Sequence, residues 1–196
     1  MLIDLTNEKN AAACDTRYQK LHKRLGWICQ TVRYAAVILA GWLLVASITL
    51  WSEVKSINDC FGPQFKKDLS GVASWQQLFG FALYLVLWSL SAAACYSVWR
   101  AFSVFLNGRI FSLDATLWFK RVALFGLTAK LLEIFTHPLI SLILTLHFPA
   151  GQKQRLINLY LTPNDFVILA LLLVLLAFVH ILMIATEIAQ ENAQII

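Results

Sequence analysis

The chain has 196 residues, 59% of them hydrophobic and only 14% charged, with a mean hydropathy of +0.68. That composition excludes an ordinary soluble domain, and no polar stretch is long enough to fold separately. The net charge of +5 is not a nucleic-acid stripe. The basic residues cluster beside apolar segments, so they read as membrane-orientation signals and no direct nucleic-acid partner is expected.

Residues 1–31 form a charged N-terminal arm. Tyr18, Leu21, Leu25 and Ile28 recur at three-to-four spacing, with Arg17, Lys20, Lys23 and Arg24 between them. This spacing predicts a short amphipathic helix lying at the membrane interface. The membrane domain then runs over 32–189, with spans at about 32–53, 76–99, 122–148 and 164–187. The first holds 19 uncharged residues from Tyr34 to Ser52, about 28 Å of helix. It lies too far from the N-terminus, and lacks a convincing cleavage site, for a secretory signal. The second carries small residues at Ser89, Ala93 and Ser97, and the first has Ala36, Ala40 and Gly41. Such patches allow close helix approach within one chain or in a homo-oligomer. Trp42 and Trp88 sit deep enough that both are expected to pack. Asn107-Gly108 signals a turn, after which Ser112 or Asp114 can cap the third helix.

The third span contains Lys130, Glu133, His137 and Pro138. The proline predicts a kink in a continuous helix, with a re-entrant hairpin at His137-Pro138 as the alternative. The fourth span starts sharply: Thr162 can cap, Pro163 fits the first helical position, and Asp165 faces the positive helix end. Glu187 and Glu191 follow that span, and residues 190–196 form a short tail. Ten basic residues on the side of the termini, against five in the two opposite loops, predict both termini in the cytoplasm. The expected fold class is therefore all-α, a four-helix transmembrane bundle with an N-terminal interfacial helix.

Lys130, Glu133 and His137 lie three and four residues apart, nearly on one helical face. Counting inward from Arg121 places Lys130 about 13 Å deep, and counting back from Glu187 places His180 about 10 Å deep. The expected intramembrane polar layer is thus Lys130, Glu133, His137 and His180, with Lys130 and His180 level. Glu133 is the expected partner of Lys130, so removing it alone should leave a lysine unpaired at depth. Four readings of the layer stay open: a structural ion pair, a proton- or ligand-sensitive switch, a conduction pathway and a metal site of Glu133, His137 and His180. The depth mismatch and the lack of a fourth ligand argue against the metal site, and no metal or cofactor is expected. No catalytic residue is expected either. The chain has no HExxH-type histidine pair, no paired membrane aspartates and no phosphate-cradling glycine loop. Cys14, Cys29, Cys60 and Cys95 show no metal or redox spacing.

A small multispan protein acting through helix contacts remains, either a regulator or a channel or transporter subunit. The outer loops are too short for a separate domain, so the expected interaction surface is Lys20, Lys23, Arg24, Arg109, Glu187 and Glu191. It would face membrane lipids or a cytosolic regulatory protein. The stretch Asn107-Gly108-Arg109-Ile110-Phe111-Ser112, followed by Lys120, Arg121 and Gly126, resembles the inner-loop signature of a bacterial integral-membrane family known as a domain of unknown function (DUF 2975). The last span with Glu187, Glu191 and Asn192 is similar to that family's closing segment. The tail Ala193-Gln194-Ile195-Ile196 and the long charged arm depart from its pattern. The resemblance implies a four-helix protein of the bacterial inner membrane. It also implies a role as regulator or sequestering partner of a small helix-turn-helix protein, and it supplies no catalytic residues.

Overall fold

The computed structural model describes residues 2–65, 68–106, 112–146, 148 and 162–194, with side chains from residue 26 to 64, 68–106, 112–146, 148 and 162–188. The described residues are helical throughout apart from turns and connections: α1 (Leu2–Ser52), α2 (Val54–Phe65), α3 (Ser74–Leu106), α4 (Leu113–Leu144) and α5 (Pro163–Gln194). Four stretches are long and apolar enough to cross a membrane, namely Gly26–Ser52, Ser74–Leu106, Leu113–Leu144 and Pro163–Ile188. They define an all-α, multi-pass membrane protein.

The expected interfacial helix is not a separate element. Its residues belong to α1, a single helix of 51 residues, about 76 Å long. Gly26 is the weakest helix former at the junction and nothing there forces a break, so the helix of the first span propagates into the arm. The loop after α1 also differs from expectation, because it contains α2. Val54, Ile57 and Phe61 fall at helical spacing on one face of α2. Ile57 and Phe61 pack with Trp51, Leu69, Val72, Ile140 and Leu144 in a buried cluster that caps one end of the bundle. Burying each large apolar side chain there contributes about 1.5–3 kcal/mol where the alternative is water. Gln76, 1% exposed, ties this cap to α4. Its Oε1 accepts from Ala73 N at 2.8 Å and its Nε2 donates to the Ile143 carbonyl. The turn between α2 and α3 is held by Asp68, which accepts from Ser70 N at 2.9 Å and from Ser70 Oγ at 3.0 Å. These two bonds hold the Asp68 carboxyl below its ordinary value.

The spanning helices pack as an antiparallel row, α1 on α3, α3 on α4 and α4 on α5. Contacts near the ends fix the directions: Arg33 lies 4.0 Å over the Trp99 ring, Trp51 meets Tyr84, and Tyr96 meets Trp118 edge-on. Arg100 and Arg121 also stack on Trp118, at 5.2 Å and 4.3 Å. This end of the bundle therefore carries a belt of guanidinium–indole pairs of the kind that suits a membrane interface. Ser112 is the N-cap of α4 and accepts from Ala115 N. Helix α4 continues through Pro138 to Leu144, so the segment is one continuous helix and the hairpin does not form.

The small-residue patches split. Ala36 and Ser97 are buried, but a side chain at Gly41 would meet nothing within 4 Å. Trp88 packs and donates from Nε1 to the Ala40 carbonyl at 2.9 Å. Trp42 does not pack: it is 70% exposed, and an indole there can lie in lipid without losing a protein partner.

Candidate functional site

Residues on α1, α3, α4 and α5 enclose a groove of about 800 Å³. Helices α3 and α4 form its back. Among the described residues no extensive contact joins α1 to α5, so the groove opens between these two edges of the row. Lys130, Glu133 and His137 on α4 and Asn164 on α5 line it, together with Tyr84 and Trp88 on α3.

Two carboxylates from different helices hold Lys130. Its Nζ lies 2.9 Å from Glu133 Oε2, one turn along α4, and 2.6 Å from Asp165 Oδ1 on α5. Asp165 is further fixed through Oδ2, which accepts from Thr162 N and Thr162 Oγ1, each at 2.7 Å. The Asp165 backbone N–H donates to the Thr162 carbonyl at 3.0 Å. Sequence reasoning placed Asp165 as a helix-end charge; it is also the closer partner of Lys130. His137 Nε2 stands 4.0 Å from Glu133 Oε1, beyond hydrogen-bond reach.

His180 does not join this layer, and its expected level with Lys130 is corrected. Asp165, not His180, lies beside Lys130. His180 is 15 residues further along α5, about 22 Å away along the axis, and it is exposed. Depth counting assumed that α4 and α5 traverse the same slab from the same surface. Instead α5 begins beside the middle of α4, a register also marked by Leu172 lying against Gly126. The signal that could have found the pair was the chemical need of an intramembrane lysine for every nearby acid, Asp165 included.

Among the described residues no group of three or more histidine, cysteine or acidic side chains is arranged to hold a metal. Of the expected interaction surface, Lys20, Lys23 and Arg24 lie on α1 beyond its membrane-compatible stretch. Glu187 and Glu191 lie near the C-terminal end of α5. The helices are antiparallel with four crossings, so all five are at the same end of the molecule. Arg109 lies outside the described residues. No family model, curated protein or solved structure matches this chain.

Proposed function

We propose that this chain is a non-enzymatic membrane regulator of the bacterial inner membrane that holds a cytosolic protein at its surface, with both termini in the cytoplasm. The observation that carries the reading is the continuity of α1. Its 24 residues before Gly26 continue the spanning helix and would reach about 36 Å from it if straight. A basic arm rooted in the bundle, at the same end of the molecule as the acidic end of α5, presents charges of both signs to an approaching partner. Such charges steer capture and register more than they set final affinity. The resemblance to the bacterial membrane family supports the same class, with a small helix-turn-helix protein as the natural partner.

Charge reversal at Lys20 and Arg24, with membrane orientation checked, tests the reading by co-purification from native cells. The expected result is loss of one specific cytosolic protein. An unchanged partner list overturns it. A second reading, a small channel or transporter subunit, is favoured by the charged layer lining the groove. It predicts measurable solute flux in proteoliposomes that falls when Glu133 is replaced by Gln.

A further inference from the structure

The geometry points to a binding site for a lipophilic organic cation in the groove between α1 and α5, with its charged centre on Glu133 and its apolar body along the helix walls. This goes beyond the regulator reading and stands independently of it.

The charge balance of the layer sets the sign of the ligand. Lys130 is the one cation among the described residues that line the groove, and it faces two carboxylates, Glu133 and Asp165. Together Lys130, Glu133 and Asp165 carry one excess negative charge. The two acids are not equivalent. Asp165 is enclosed by Lys130 and Thr162 and is 12% exposed, whereas the Glu133 side chain is 45% exposed. Glu133 binds Lys130 through Oε2 alone, and its Oε1 has only His137 nearby, at 4.0 Å. One carboxylate oxygen of this groove-lining residue is therefore without a hydrogen bond among the described residues.

An uncompensated carboxylate at membrane depth is costly and calls for a partner or a polar cavity. An anion would meet two carboxylates and a lysine already engaged by both. A cation would meet Glu133 Oε1, with Tyr84 and Trp88 on the adjoining wall, and aromatic rings favour organic cations. The remaining wall is apolar, including Leu39, Leu43 and Leu87, and the volume of about 800 Å³ matches a drug-sized molecule. The opening between α1 and α5 gives access from the side, which suits a ligand already partitioned into the bilayer.

The test uses the purified full-length protein in phosphatidylcholine nanodiscs, with protein-free discs subtracted. The probes are tetraphenylphosphonium and tetraphenylborate, which share shape and differ in sign. Saturable phosphonium binding, at least tenfold tighter than that of the borate, is expected. Glu133→Gln should weaken phosphonium binding about tenfold or more, while Asp68→Asn, outside the groove, leaves it unchanged. Should Glu133→Gln fail to give a monodisperse protein, Ser91→Trp fills the groove from α3 and is expected to produce the same loss. Equal or tighter borate binding by the wild type overturns the proposal without any variant. Unchanged phosphonium binding in a folded Glu133→Gln protein also overturns it. Cross-linking between copies through Leu43→Cys, with no phosphonium bound, assigns the groove to a second chain and overturns it too.

Discussion

A lysine, an aspartate and a glutamate inside one bundle are tolerated because Lys130 bridges both acids. A lone charge at mid-membrane costs at least about 2.5–3.5 kcal/mol on insertion scales. The Lys130–Asp165 contact joins two helices, is the shorter of the two ion pairs, and is backed by Thr162. The Lys130–Glu133 contact is local to α4, and its acid is nearly half-exposed. Removing one partner of a buried pair costs about 3–5 kcal/mol when no substitute exists. Asp165→Ala should cost somewhat less, since Glu133 still holds Lys130, although it also removes the two hydrogen bonds that tie Thr162 to the first turn of α5. Glu133→Ala leaves the inter-helix pair intact, so its cost should resemble that of an exposed pair, about 0–1 kcal/mol. Thermal unfolding of both variants in one detergent checks the order. A larger loss for Glu133→Ala returns Glu133 to the role that sequence reasoning gave it. The i,i+3 spacing made the Lys130–Glu133 contact legible, but nothing local in the sequence reports the register of α5 that delivers Asp165.

Helix packing depends on a few positions that admit no side chain. A Cβ at Gly80 on α3 would fall inside the Trp51 indole, and that ring is clamped by Phe61 and Tyr84. A Cβ at Gly126 on α4 would meet only the end of Leu172, 2.9 Å away, and a leucine rotamer can yield. Gly80→Ala is therefore expected to cost about 1–3 kcal/mol by overpacking a rigid neighbour. Gly126→Ala should cost less, because helix propensity offsets part of the clash. Melting temperatures of the two variants in the same detergent give the comparison, and equal losses would contradict it. The four spans were legible because runs of some twenty apolar residues have one economical solution in a bilayer. Helix α2 was not, since Gly62 and Pro63 near its end and Lys55 and Asp59 within it read as loop. Its apolar spacing at Val54, Ile57 and Phe61 was the available signal. The fate of Trp42 was also hidden, because depth in the membrane does not say whether a side chain faces lipid or a neighbouring helix.

The orientation of the whole molecule rests on one charge asymmetry, and two cysteines near opposite ends of the bundle can test it. Four antiparallel crossings put the N-terminal arm and the C-terminal end of α5 on one side, with α2 on the other. Ten basic residues accompany the termini against five in the opposite loops, which predicts the termini on the cytoplasmic side. Cys60 on α2 is exposed, while Cys29 is buried within the first span. Cys14 lies on α1, twelve residues before Gly26. In variants retaining one cysteine each, a membrane-impermeant maleimide applied to intact cells should modify Cys60 and spare Cys14. Lysis should then expose Cys14 to the reagent. Desolvation raises the Cys60 thiol above its ordinary value, so less thiolate is present at neutral pH and its labelling should accelerate as the buffer is made more alkaline. Modification of Cys14 before lysis, with Cys60 protected, would invert the molecule. It would also move the basic arm away from the cytosol, and the proposed cytosolic partner would lose its docking surface.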